Sequence, residues 1–197
     1  REVRANKARI EVRRLRSHRQ TLEALGVDLL PRVAFFYGLD LSSHSSSLGF
    51  FFKGFFVDQF ERNYETTLRQ ATSPLAYRAA DLARHVLADA ALDGSGVEFV
   101  DGVNLTGGVT WHSHLPLPIG LDMEMPLLAG LPGAAFVSTG DPRIWVDTPV
   151  DRVSRMDSSR LALQTQVLMP LLRQLLSDPE TSQIYRDIGR DALLPTE

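Results

Sequence analysis

The chain has 197 residues, 44% hydrophobic and 23% charged, with a formal net charge of −3. Those values suit one globular domain with a sizeable core, and the global charge gives no reason to expect a nucleic-acid partner. No cysteine is present, which excludes disulfides, thiolate metal ligands and a cysteine nucleophile, and no apolar run approaches the roughly 20 residues of a membrane span.

The chain opens on a basic stretch. Residues 1–20 hold Arg1, Arg4, Lys7, Arg9, Arg13, Arg14, Arg16 and Arg19 against Glu2 and Glu11. Ile10, Val12, Leu15, Leu22 and Leu25 form a loose apolar stripe, so residues 1–25 are expected to be a helix that stops at Gly26. Its arginines are spread around the axis and read as a solvated face; contact with phosphates or an anionic membrane is the alternative. Residues 32–41 are nearly continuously apolar, with β-branched and aromatic members, and predict a strand buried on both faces. The serine-rich residues 42–47 follow as a loop. Residues 50–56 are either a short strand or an apolar loop, and a helix is expected over 57–63.

Thr72 or Ser73 is expected to cap the next helix, with Pro74 near its start. Leu75, Ala79, Leu82, Ala83, Val86 and Leu87 then repeat at helical spacing to about Ala91. Residues 93–96 predict a turn and 97–100 a short extended segment. Residues 101–120, with Gly102, Gly107, Gly108, Pro116, Pro118 and Gly120, predict mostly loop. A short helix over 123–129 ends at Gly130, and 134–138 read as a second buried strand. Asp157 or Ser158 caps a long helix through Leu176, in which Pro170 implies a kink or a break; a short helix over 179–190 closes the chain. Buried strands alternating with helices predict an α/β fold: a three-layer αβα arrangement around a mostly parallel sheet, in one domain over residues 1–197. Three or four strands make a thin sheet for this length. The chain is therefore expected to be a piece of something longer, incomplete at its amino-terminal side.

Chemistry-bearing residues concentrate in a few places. Asp40 directly follows the first strand, where an acid must be paired, bind a cation or cap the following loop. Trp111-His112-Ser113-His114 places two histidines at i and i+2; on an extended strand they would point the same way and could share a metal, while a polar loop is the bland alternative. His44 lies within reach of the Asp40 cleft, whereas His18 and His85 fall on helices and read as surface residues. The stretch from Gly120 to Asp151 sets Asp122 and Asp147 on either side of a short strand-like segment, and α/β enzymes carry their chemistry on loops beyond the carboxyl ends of strands. Asp147-Thr148-Pro149-Val150-Asp151 also reads as an Asx-type turn into the long helix. No Gly-x-Ser-x-Gly elbow, phosphate loop or His-Glu-x-x-His pair occurs.

Three segments in order resemble the carboxyl-terminal part of the M28 family of zinc aminopeptidases, over residues 33–176. Gly38-Leu39-Asp40-Leu41 resembles the family's strand ending in a Leu-Asp pair, whose aspartate binds zinc. Leu121-Asp122-Met123, then Pro126 to Gly130, then Leu131-Pro132-Gly133-Ala134 resemble its Ser-Asp-His segment, short helix and strand entry. Asp147-Thr148-Pro149-Val150-Asp151 resembles its His-Thr-Pro-x-Asp motif, in which the histidine binds zinc. The resemblance implies zinc as cofactor with Asp40 and Asp147 as metal ligands, His112, His114 and Asp122 on the substrate side, a peptide substrate, and a secreted or envelope setting. This chain departs from the family at two motif positions, the first of them a zinc ligand in the family. Aspartate stands at 147 and methionine at 123 where the family has histidines, and the remaining ligands and the general base of the family lie upstream of the Leu-Asp strand. Two functions follow as expectations: a metal-dependent aminopeptidase, inactive as this piece alone, or a non-catalytic relative that binds a protein partner through its cleft or, if it is exposed, through the aromatic run at 50–56, for which burial against an upstream part is the simpler reading.

Overall fold

The structure is a computed structural model that describes residues 33–188 except 61, 93–94, 117–118, 145–147 and 151, with positions 10, 13, 14, 17, 20, 21 and 24 ahead of them. Those earlier positions are helical and exposed, as expected of the basic opening stretch. The rest of its apolar stripe, Val12, Leu15, Leu22 and Leu25, lies outside the described residues.

Four strands form one sheet: β1 (Phe36–Asp40), β2 (Leu48–Phe51), β3 (Phe99–Asp101) and β4 (Gly133–Ser138), in spatial order β1-β4-β2-β3. β1 pairs with β4 in parallel, Phe36 opposite Gly133 and Asp40 opposite Val137. β2 pairs with β3 in parallel and with β4 antiparallel, so two of the three pairings are parallel. β4 is buried at every position, which is why its residues Gly-Ala-Ala-Phe-Val-Ser are small or apolar throughout. Side chains alternate across the sheet. On one face Phe136 packs edge-on against Phe50 at 5.1 Å and stacks with Tyr37 at 5.7 Å. On the other face lie Gly38, Ala135, Val137 and Phe51.

Helices cover the first face: α1 (Arg62–Asp89), α3 (Ser158–Ser177) and α4 (Pro179–Asp187) pack against one another. Gln164 of α3 bonds to Ser138 of β4, and the Tyr185 hydroxyl of α4 bonds to the Tyr37 hydroxyl of β1. The opposite face is covered by residues 102–116 and 119–123 and by the short helix α2 (Glu124–Leu128). There Met123 packs under β1 and β4, within van der Waals reach of a Cβ built on Gly38. Gly102 is a glycine because the Phe51 ring lies flat over it; a Cβ there would meet the ring at 2.1 Å. The result is the expected α/β arrangement in three layers, helices, sheet and a second covering layer, around a mostly parallel sheet. Among the described residues no helix is long and apolar enough to cross a membrane.

Several local expectations are corrected. The apolar run at 32–41 is not a strand buried on both faces: β1 lies at the sheet edge, with Leu39 50% and Phe36 36% exposed. The aromatic run at 50–56 is no exposed patch, since Phe50, Phe51 and Phe52 are buried in the chain's own core. The helix expected over 57–63 is a 3-10 turn at Val57–Gln59 followed by the start of α1. Pro74 does not open a helix but sits inside α1, and Thr72 and Ser73 are interior residues rather than caps. The buried stripe Tyr64, Leu68, Leu75, Ala79, Ala83 and Val86 continues through the proline. Packing of that stripe outweighs the missing hydrogen bond, and Asn104 braces the segment by bonding the Ser73 hydroxyl. The histidine pair lies in the stretch expected to be mostly loop, and not on a strand. Trp111–Ser113 form a 3-10 turn, where three residues complete a turn and i and i+2 no longer share a face.

Candidate functional site

β1 and β4 run parallel and end at the same edge of the sheet, so the chain leaves that edge twice, at Leu41 and at Thr139. The carboxyl ends of a parallel pair are where ligands enter open α/β sheets. A cleft of about 270 Å³ lies there, between the 40–44 loop and Asp141 and Arg143, with Arg152, Met156 and Leu161 on its far side.

A chain of hydrogen bonds builds its floor. The Ser42 N–H donates to the Ser138 hydroxyl at 2.6 Å, and that hydroxyl donates to Gln164 Oε1 at 2.7 Å. Gln164 Nε2 donates back to the carbonyls of Ser42, at 2.7 Å, and Ser45. Gln164 is wholly buried, so its amide is spent on fixing the loop rather than on solvent. The Ser42 hydroxyl in turn donates to Asp141 Oδ2 and accepts the His44 N–H at 3.1 Å. Arg160 of α3 anchors the loop from outside, donating to the His44 carbonyl at 2.6 Å.

Asp40 is held by Arg143. Guanidinium Nη1 bonds the Asp40 carboxylate, and Nη2 bonds the Asp40 carbonyl at 3.0 Å. The Arg143 side chain is only 7% exposed, the Asp40 side chain 29%. Arg143 sits in the left-handed region, at φ +50°, with its N–H donated to Asp141 Oδ1 at 2.9 Å. Its Nε is buried with no hydrogen-bond partner among the described residues. A non-glycine residue in that conformation is strained by roughly 1–2 kcal/mol, so the surroundings hold it there.

A second cleft, of about 290 Å³, opens at the opposite edge. β2 runs antiparallel to β4 and parallel to β3, so the carboxyl ends of β2 and β3 face away from those of β1 and β4. Lys53 is its half-buried cation, with Nζ 2.9 Å from Asp58 and 2.8 Å from Glu65. His112 lines its rim, its ring 3.8 Å from that of Trp111.

The expected site residues do not all meet. Asp40 lies in the first cleft with His44, and His112 in the second. His114 is half-buried beside Phe51, and its carbonyl accepts the Gly140 N–H at 2.9 Å. Asp122 is exposed on the turn before α2. Asp147 lies outside the described residues, although Arg152 and Met156 beyond it line the Asp40 cleft. Among the described residues no group of three or more histidine, aspartate and glutamate side chains is placed to hold a metal ion. The donor chemistry agrees. Asp40 has its carboxylate on a guanidinium. The described residues therefore do not fit a zinc ion.

Sequence reasoning missed Arg143, Asp141 and Gln164 as site residues. The signal for the first two is their place directly after β4, on the loop that the parallel pairing sets beside the Asp40 loop. It also missed Glu124, which is wholly buried at the start of α2. Its carboxylate accepts the N–H groups of Gly54 at 3.1 Å, Val57 at 2.7 Å and Leu121 at 2.8 Å, and so ties the turn after β2 to the second covering layer. No family model matches this chain, and no curated protein or solved structure is significantly similar to it.

Proposed function

We propose that this chain is a non-catalytic, M28-like binding domain that takes a peptide segment into the cleft at the carboxyl ends of β1 and β4. The observation that carries this reading is the capture of Asp40 by Arg143. An acid with one carboxylate oxygen on a buried guanidinium already has its counter-charge and needs no metal ion to neutralise it. The cleft keeps what recognition needs: serine hydroxyls and charged groups on its floor, with Met156 and Leu161 as an apolar wall. The partner is a protein or peptide. The resemblance supplies the peptide class, and the wall supplies a place for an apolar side chain.

The test uses the full-length protein and two assays. With aminoacyl p-nitroanilides, no release above the blank is expected with or without added zinc, and Asp40→Ala behaves like the wild type. A labelled pool of short peptides, followed by fluorescence polarisation, is expected to bind. Met156→Asp, at the exposed rim, weakens that binding about tenfold, the scale of one apolar contact replaced by a charge. Zinc-dependent release that Asp40→Ala abolishes would overturn the reading, as would peptide affinity indifferent to Met156→Asp. The second reading is a zinc-dependent aminopeptidase with Asp40 and Asp147 among the ligands. It is favoured by the position of Asp40 at a strand end on a cleft.

A further inference from the structure

We infer that the second cleft is a binding site for a small zwitterion with an apolar side chain, the chemistry of an apolar α-amino acid. The inference goes beyond the peptide reading of the first cleft and does not depend on it, since the two clefts share no lining residue.

The charges of this cleft are unevenly matched. Lys53 is one cation between two acids, ion-paired with Asp58 and Glu65 at once. The cluster therefore keeps one net negative charge. Each acid gives Lys53 one oxygen, Oδ1 of Asp58 and Oε2 of Glu65. The other oxygen of each makes no hydrogen bond among the described residues, and the two side chains are 30% and 35% exposed, open to a further donor. The balancing cation stands apart. Arg69 lines the same cleft, one turn along α1 from Glu65, and is exposed with no ion pair among the described residues. Positions four apart on a helix are surface neighbours, with Cβ atoms about 5–6 Å apart. The cleft thus sets free acceptors and a free guanidinium within reach of one small molecule.

That arrangement selects the ligand class. A simple anion meets Arg69 but is repelled by the acid pair. A simple cation meets the acids but is repelled by Arg69. A zwitterion puts its ammonium on the free oxygens of Asp58 and Glu65 and its carboxylate on the Arg69 guanidinium, both through charge-assisted hydrogen bonds. No net charge is then left in the cleft.

Size and lining set the rest. A volume of about 290 Å³ stands at the bottom of the range for small-molecule sites, about 300–1,000 Å³, so the ligand is small. Phe52, Val103 and Trp111 are buried and Leu105 is half-buried, and together they give the cleft an apolar wall for one side chain. Lys53 ties the turn after β2 to α1 through Glu65. Arg69 makes no such tie, so its substitution separates binding from folding.

The test is calorimetric titration of L-leucine into the full-length protein. Three analogues are titrated beside it: isocaproate, which lacks the ammonium, isoamylamine, which lacks the carboxylate, and free glycine, which lacks the apolar side chain. Leucine is expected to bind at least about tenfold more tightly than each of them, the scale of one lost contact. Arg69→Gln is expected to weaken leucine binding about tenfold, to leave isoamylamine bound as tightly as before or more tightly, and to leave the melting temperature of the free protein unchanged. Glu65→Gln is expected to weaken leucine and to spare isocaproate. Leucine binding that Arg69→Gln does not change would place the ligand elsewhere and overturn the inference. Isocaproate or isoamylamine matching leucine would reduce the cleft to a plain anion or cation site and overturn it too, as would the absence of leucine binding to wild type. Should Glu65→Gln not fold, the comparison of leucine with isocaproate decides the ammonium end by itself. The Met156→Asp effect on peptide binding reads the first cleft, so either reading can fail while the other stands.

Discussion

At the scale of single residues the chain places two acids under opposite regimes. Asp40 is half-exposed and neutralised by an arginine. Glu124 is buried with no cation beside it among the described residues, and there it accepts only backbone N–H groups. Burial pushes the Glu124 carboxyl up to about 7, against the pull of the N–H groups of Val57, Leu121, Gly54 and Phe56. Its ordinary value in an unfolded chain is about 4.3. Between those values the folded protein holds a proton that the unfolded chain releases. The stabilising contribution is therefore fully present below about pH 4.3 and is lost as pH rises through 7. The size of the shift corresponds to roughly 3 kcal/mol across that window. Urea unfolding of wild type at pH 5 and pH 8 is expected to show this loss as one component of the pH dependence. Glu124→Gln cannot ionise, so its pH profile flattens by that amount, while its amide nitrogen cannot accept one of the buried N–H groups and lowers stability by about 1–3 kcal/mol at both pH values. A variant as pH-dependent as wild type would show that Glu124 is ionised throughout and that the backbone donors win over burial.

At the scale of elements, the local signals that mark a helix end were legible and the tertiary ones were not. Asp157 caps α3 by accepting the N–H groups of Ser159 and Arg160, and Asp178 caps α4 ahead of Pro179 at its first turn; both follow from an acid or a proline at a fixed offset from a helical run. Asp178 also takes the Arg78 guanidinium of α1, which holds its carboxyl well below the usual carboxylate range. β4 was legible as a short apolar run bounded by glycines. The edge position of β1 was not, because an apolar run carries no record of which strands will flank it. Nor was the passage of α1 through Pro74, where the packing of a long stripe overrides a local signal. The site divides in the same way. Asp40 stood out as an acid ending an apolar strand, but its partner lies 103 positions along the chain, and no periodicity announces an ion pair. Gln164 shows what the pattern hides: a polar residue inside α3 that is wholly buried because it joins the helix to the end of β4 and to the 42–45 loop. Gln164→Ala leaves a buried hydroxyl and two loop carbonyls short of partners, a loss of about 2–4 kcal/mol. Urea unfolding measures the loss, and amide exchange measures where it falls. Residues 42–47 are expected to exchange faster than the rest of the fold. Unfolding made easier with unchanged exchange in that loop would mean that Gln164 supports α3 alone and does not position the cleft.

At the scale of the molecule, one antiparallel pairing between two parallel pairs decides where chemistry can gather. β1 and β4 end at one edge, β2 and β3 at the other. Chain exits, and the loops free to carry polar groups, are therefore divided between two edges, and each edge has its own cleft and its own paired cation: Arg143 with Asp40 in one, Lys53 with Asp58 and Glu65 in the other. A resemblance read along the sequence places Asp40 and His112 in one site; the antiparallel step separates them. Asp40 lies opposite Val137 on β4, and Phe51 opposite Ala135, with Lys53 two residues further in the same direction. At about 3.3 Å per residue and 4.8 Å per strand, Asp40 and Lys53 are roughly 15 Å apart. The two clusters share no residue, so their contributions should add. Asp40→Asn strips Arg143 of its partner and Lys53→Met strips Asp58 and Glu65 of theirs, and each is expected to lower stability by about 1–3 kcal/mol. The doubly substituted protein is expected to fall by the sum, within about 0.5 kcal/mol. Denaturant unfolding of the four proteins closes that cycle. An interaction energy well above 1 kcal/mol would mean that the inner pair β4 and β2 transmits between the edges, and the two clefts would then have to be treated as one coupled site.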